Sequence, residues 1–456
     1  MVMEVPAVQS LPRSVSSRGL APVLALGALG LIMVAFVAAG PWIIGRFDYA
    51  VFIPGIVASG LLTIAATALV PVVPERLGLI VILGLAVVMR LLIITDEAFL
   101  STDIYRYVWD GRVQAAGINP YLLVPADPVL AHLRDAAIYP NINRADYAVT
   151  AYPPVAQAFF LVVTRISESL TMMRLAMVAC EAVIIAVLID LLRQMRLPVT
   201  AVVAWAWHPL VVWEIAQGGH VDALMVALLM VGVWLLVRHR ALFGAVILTL
   251  AALAKPYAIV AMPAFWRPWD WRVPAAIAAT IVLCYLPYLG AGRGVLGFVT
   301  TGYLGEEGFT DGSTFWLIAL IRPLLGNVPG LTIAYLLVAV SVMAWLGVRT
   351  AWRTERAPET TLHDIAVLLM VGLFFLSPNY AWYFLAVVPF IALGGGAPAW
   401  AMTLAAPLLY RPIFLPHNDV IWKTLAILPF VIAVAWALRP RGHASERGQG
   451  ASQWTR

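Results

Sequence analysis

"LGLIVILGLAVVMRLLIIT" (77–95) runs directly into "DEAFLSTDIYRYVWDGRVQAAGINPY" (96–121). The first piece has 19 residues and a single charge, Arg90. A helix of that length is about 28 Å long, close to the roughly 30 Å of a bilayer's hydrocarbon core. The second piece carries Asp96, Glu97, Asp103, Arg106, Asp110 and Arg112. A membrane helix thus ends in a dense polar patch, and the rest of the chain has to explain why.

Outward from this point the apolar runs repeat. The 456 residues are 62% hydrophobic and 12% charged, with a mean hydropathy of +0.91. A soluble chain would carry roughly a quarter charged residues. The fold class is therefore an all-α polytopic membrane protein. Short alternating segments, the mark of a β-barrel, are absent. Membrane helices are expected near 20–44, 50–73, 78–95, 172–192, 199–217, 221–237, 241–254, 256–266, 273–290, 328–348, 361–377, 381–395, 397–410 and 419–437. Those within 241–266 and 381–410 are too short to span unless tilted or helped by neighbours. That gives a bundle of about 12–14 spans in one integral membrane domain, 1–456.

Arginine sets the orientation. The gaps "PERLG", "RQMRLP", "VRHRA", "WRPWDWR" and "VRTAWRTERAPE", and the tail 439–456, are arginine-rich and face the cytoplasm by the positive-inside rule. Both termini are then cytoplasmic. The net charge of +5 is an orientation signal, not a nucleic-acid footprint. Cys180 and Cys284 both lie in apolar runs and give no disulfide or metal pattern. The polar start with Arg13 and Arg18 lacks a cleavage motif after a short apolar run, so it leads into an uncleaved first helix.

Two outer loops follow from this frame, 96–171 and 291–327. "YPPVAQAFFLVVTRISESL" (152–170) would invert everything downstream if counted as a span. It reads as a re-entrant or interfacial helix on the outer face, and "STFWLIALIRPLLG" (313–326) as a second one.

Ionisable groups at membrane depth are costly and persist where they pair, line water or do chemistry. Here they gather on the outer side: the 96–112 patch, then Glu214, His220 and Asp222, then Lys255, then Arg411, His417, Asp419 and Lys423. Asp103, Tyr107 and Asp110 share a helical face by i, i+4 and i+7 spacing, with Arg106 able to pair with either acid. Asp110, just before Gly111, suits a helix end held by an arginine. Asp96, Asp127, Asp135 and Asp146 suit solvated loop positions. "GHVD" (219–222) offers two metal-ligand types but no third at the usual spacing. It suits a hydrogen-bonded turn or a substrate hydroxyl. Lys255, one of two lysines, stands in a notch made by Pro256. A charged point there suits a phosphate.

"STDIYRYVWDGRVQAAGINPY", "AYPPVAQAFF", "WHPLVVWEIAQGGHVDAL", "LAALAKPYAIVAMPAF" and "SPNYAWYFLAVVPF" occur in this order over roughly 78–395. Together they resemble the polyprenyl-phosphate-sugar-dependent glycosyltransferases of the GT-C superfamily, in the bacterial mannosyltransferase-like branch. The resemblance implies a multi-helix bundle in the plasma membrane, with its active site outside and interfacial helices around it. It implies a polyprenyl-phosphate sugar as donor and a glycolipid or glycan as acceptor, with no nucleotide sugar. It implies Asp103 as the catalytic base, with Asp96 or Glu97 as alternates. Tyr152 starts the interfacial helix, and Lys255 stands near the donor phosphate. Tyr380, with Trp382 and Tyr383 after it, stands near where relatives often have a histidine. Arg106, Tyr107, Asp110, His220 and Asp222 complete the expected donor- and acceptor-binding set.

A single base without a covalent nucleophile implies inversion at the anomeric carbon. No metal ligand set is assigned, although the acids at 96, 97 and 103 permit a divalent cation. The alternative is a transporter or flippase of lipid-linked sugars, which would place ionisable groups near the midplane with access from both sides. A non-catalytic scaffold leaves the acidic loop unexplained.

Overall fold

The computed structural model describes residues 17–439 except 48, 327, 355 and 411–418. Arg411, His417 and the tail from 440 lie outside the described residues. Helices are the only regular elements among those described. The first six are α1 (Ser17–Phe47), α2 (Tyr49–Ala68), α3 (Glu75–Ile93), α4 (Asp103–Ala115), α5 (Pro154–Ile166) and α6 (Leu170–Gln194). Eight described helices are long and apolar enough to cross a membrane, or nine if one bent pair is a single span. The chain is an integral membrane protein by this measure. The other segments expected as spans are present as shorter or broken helices.

Prolines make the breaks. The expected helix 199–217 is two pieces, Val199–Ala206 and Pro209–Gln217, bent by 57°. His208 is extended (φ −60°, ψ 122°) because the Pro209 ring excludes the helical conformation before it. Beyond the bend, Val212–Gln217 winds as a π-helix, a form that often marks functional sites. Lys255 is likewise extended before Pro256 (φ −143°, ψ 120°), and Pro256–Ala264 is a 3-10 helix rather than an α-helix. The 381–395 segment starts as a 3-10 helix, Ala381–Ala386. The break at Pro209 leaves His208 against Thr403 and Trp400, and the break at Pro256 leaves Lys255 beside Asp222.

Burial is deepest where these broken helices meet the long ones, around Trp205, Trp207, Trp213 and the start of α4. A buried ion pair pins α3 to α6: Arg90 Nη2 lies 2.5 Å from Glu181 Oε1 and Nε donates to Oε2 at 3.2 Å. The third arm of Arg90 donates to Ala206 O (2.7 Å), so the break after α6 is tied to the same point.

The segments read as re-entrant or interfacial are helices of 13 residues (α5) and 10 residues (Trp316–Leu325). At about 20 Å and 15 Å they are too short to cross. α4 ends as "AAGI" suggests. Gly117 takes φ +79°, its N–H donates to Gln114 O (2.9 Å) and the Ile118 N–H to Val113 O (3.1 Å), the pattern that closes a helix C-terminus on glycine.

Gly111 lets α4 lie against α5. A Cβ there would sit 2.5 Å from Phe160 O and from Thr164 Oγ1. Phe160 O is backbone and cannot swing aside. Gly111→Ala is therefore expected to lower stability by about 1–3 kcal/mol through overpacking, read as a lower unfolding temperature in detergent. An unchanged midpoint would show that the two helices are not in contact there.

Candidate active site

α4 begins at Asp103, which is half-buried. Asn143 Nδ2 donates to Asp103 Oδ1 (3.1 Å), and the Asp103 N–H donates to Ser101 Oγ (3.1 Å). Oδ2 accepts no hydrogen bond among the described residues. The Asp103 charge acts on Lys255, Tyr152, Tyr380 and Tyr383. Residues from the segments 143–152, 255 and 380–383 thus lie within electrostatic reach of one carboxylate on α4.

Lys255 Nζ lies 3.2 Å from Asp222 Oδ2, and Tyr257 OH donates to Asp222 Oδ1 (2.8 Å). Asp222 is fully buried and the Lys255 side chain nearly so. A carboxylate that deep needs its partner. The ammonium also sits 5.1 Å over the Tyr383 ring and 5.9 Å over the Tyr152 ring. The Val155 N–H donates to Leu253 O (3.0 Å), which fastens the start of α5 beside Lys255. Tyr152 in turn packs edge-on to Tyr107, whose ring stacks on Phe160 at 4.6 Å. Tyr107 is fully buried and supports this wall.

His220 follows Gly219, whose φ of +66° makes the turn after the π-helix. A Cβ at 219 would meet Ile104 of α4 at 2.5 Å, so the turn lies directly on the helix that carries Asp103. His220 stacks on Trp382 (4.0 Å) and Trp382 on Tyr380 (4.4 Å, 7° between planes). His220 Nε2 is 3.3 Å from Glu214 Oε2, and Tyr410 OH donates to Glu214 Oε1. His220 and Asp222 do not pair with each other. Each pairs outward, to Glu214 and Lys255.

Not every expected residue joins this centre. Arg106 pairs with Asp110 (2.7 Å) and donates to Ala148 O (3.1 Å). Asp110 also accepts from Thr150 Oγ1 (2.6 Å) and Gln157 Nε2 (2.9 Å). Both are buried in a filled network that braces α4; Asp110 has the expected arginine partner but sits inside the helix, which runs on to Ala115, and not at its end. Asp96 lies against Arg174 of α6, which donates to its backbone oxygen. Glu97 is exposed. The structure brings neither into the Asp103 cluster. Asp127 caps a 3-10 turn through Val129 N (2.9 Å). Asp135 pairs with Arg112 (2.5 Å). Partial burial pushes the Asp135 carboxyl up, but the Ile138 N–H and the Arg112 guanidinium outweigh this and hold it below its ordinary value. Lys423 is buried on backbone oxygens of Thr314 and Ser377. No group of three or more His, Cys, Asp or Glu able to hold a metal occurs among the described residues.

Sequence reasoning missed the second outer loop's share. Glu307 is 7% exposed and accepts from Tyr380 OH (3.0 Å), Asn379 Nδ2 (2.9 Å) and Arg144 Nη2 (3.3 Å). Tyr303 OH is 3.1 Å from Tyr383 OH. The adjacent acids in "YLGEEG" (303–308), in a loop otherwise poor in charge, were the signal available.

Residues 26–269 match the family model described as alpha-(1->6)-mannopyranosyltransferase, N-terminal domain. That is over half of the chain. The chain belongs to this family. The mannopyranosyltransferase match contains Asp103, Tyr152, His220, Asp222 and Lys255, and stops before Tyr303, Glu307 and Tyr380. Among curated relatives, the alpha-(1->6)-mannopyranosyltransferase A of Mycobacterium tuberculosis is 25% identical over 349 residues. That alignment covers 68% of this chain and 61% of the relative, so the chain spans under two thirds of that mannopyranosyltransferase. No solved structure matches the chain. The family membership bears out the resemblance to GT-C mannosyltransferases read from the ordered motifs.

Proposed function

We propose that the chain transfers a mannosyl residue from a polyprenyl-phosphate donor to a hydroxyl of a glycolipid or glycan acceptor, at the outer face of the plasma membrane. The observation that carries this is the buried Lys255–Asp222 pair, walled by Tyr152 and Tyr383 and within electrostatic reach of Asp103. The two charges suit the two ends of one displacement. The acceptor oxygen attacks the anomeric carbon and its proton passes to Asp103. The bond from that carbon to the phosphate oxygen breaks, and the charge gathering on the leaving phosphate meets Lys255. Asp222, itself held by the Tyr257 hydroxyl, keeps the ammonium in place while the polyprenyl tail lies in the bilayer. Residues 96–171 and 291–327 form the outer walls.

With no side chain placed for covalent attack, the displacement inverts. A β-linked mannosyl phosphate gives an α-mannoside, in keeping with the α-(1→6) linkage in the family's description. Purified chain given labelled polyprenyl-phosphate mannose and a mannan-type lipid acceptor is expected to form an α-linked product, read from the anomeric carbon–proton coupling by NMR. A β-linked product would overturn inversion. Absence of transfer, with donor instead moved across sealed vesicles, would favour a flippase.

A further inference from the structure

The second outer loop reaches the centre through Glu307, and that carboxylate fixes the flattest surface in the site. Tyr380, Trp382 and His220 form a three-ring stack with centroids 4.4 Å and 4.0 Å apart. Both faces of Trp382 are covered, by Tyr380 and by His220. Only Tyr380, the outermost ring, is partly exposed. Glu307 Oε1 takes the Tyr380 hydroxyl and Oε2 takes the neighbouring Asn379 amide. The ring can then not tilt away without breaking a part-buried, charge-assisted hydrogen bond.

Within the stack, Trp382 Nε1 and His220 Nδ1 are buried without a hydrogen-bond partner among the described residues, while His220 Nε2 faces Glu214 Oε2 at 3.3 Å. Buried polar atoms are normally satisfied. The flat, partly exposed face of Tyr380, backed by two further rings and held at its hydroxyl, is the chemistry that packs against the C–H face of a pyranose. The water side of this wall is marked by Arg144 and Glu306, which pair at 2.6 Å and are partly exposed. A sugar arriving from water meets the stack first. The phosphate-linked sugar belongs with Lys255, next to Tyr383 and Tyr152.

We propose that the Tyr380–Trp382–His220 stack is the platform for a pyranose ring of the acceptor, and that Glu307 is the positioning residue that sets it. This rests on the reading of the cluster as a mannosyl-transfer site, and the test separates the two. The full chain in detergent is given free α-mannobiose, with binding read by saturation-transfer NMR and transfer kinetics read in parallel. Tyr380→Phe and Glu307→Ala should each raise the acceptor KM about five- to tenfold, with kcat and donor KM within twofold. Glu307→Gln keeps an acceptor oxygen for Tyr380 and should stay within twofold of the parent. The double variant Tyr380→Phe/Glu307→Ala should be no worse than either single change, because both remove one interaction.

Mannobiose binding that weakens in these variants, in a chain that transfers nothing, supports the platform while sinking the transfer reading. Transfer with an unchanged acceptor KM in Tyr380→Phe and Glu307→Ala overturns the platform. So does additivity of the two changes, or a shift in donor KM alone. Tyr380→Phe and Glu307→Gln conserve volume, so the comparison survives if Glu307→Ala fails to fold.

Discussion

Replacing Asp103 by Asn is expected to cut the transfer rate by about 10²–10⁴-fold, the usual share of a general base, while leaving the fold intact. The carboxylate is half-buried and accepts one hydrogen bond, from Asn143, which an Asn side chain can also accept. Its helix starts through backbone bonds and is anchored by Arg106–Asp110 one turn on. The unfolding temperature and donor affinity should therefore match the parent, with loss confined to the chemical step. Single-turnover transfer from labelled donor reads this directly. A variant retaining more than a tenth of the parent rate would move the base elsewhere.

Lys255→Met is expected to damage both chemistry and stability. It leaves Asp222 buried with only the Tyr257 hydroxyl beside it, and breaking a buried pair from one side costs about 3–5 kcal/mol. Loss of the cation proposed to meet the leaving phosphate should also lower transfer by about 10²–10³-fold. The double variant Lys255→Met/Asp222→Asn separates the two effects. Removing both charges should restore most of the unfolding temperature without restoring transfer. If Lys255→Met alone transfers at the parent rate, the lysine is a structural partner of Asp222 and nothing more. If the double variant is as unstable as the single, the pair is not what the lysine supports.

The membrane class was legible because long apolar runs announce themselves, and α3 and α6 fall where those runs predict. The start of α4 at Asp103 was legible from the face shared by Asp103, Tyr107 and Asp110. The sharing was only partial, because Asp110 turns to Arg106, Thr150 and Gln157. The bend at His208–Pro209 and the 3-10 helix after Pro256 were the places where counting apolar residues misleads. Hydropathy sees a continuous run, whereas the proline ring and missing N–H break the backbone. Those breaks aim Lys255 and the "GGHVD" turn at the site. The partners of each polar residue were not legible. Lys255 meets Asp222 and His220 meets Trp382 through contacts 33 and 162 positions apart. Glu307 went unread because no periodicity links an outer loop to a stack 73 residues later.

Thr150 carries a consequence for anyone who would exchange parts between relatives. Its hydroxyl donates to Asp110 in the brace of α4, while its carbonyl receives the Phe298 N–H (3.0 Å). Gly297 passes so close to that carbonyl that a Cβ would lie 2.2 Å away. The segments 96–171 and 291–327 are therefore grafted on a common stem. A chimera that imports 291–327 alone will misfit at Thr150, and one that imports both loops will keep this joint intact as a single heritable module.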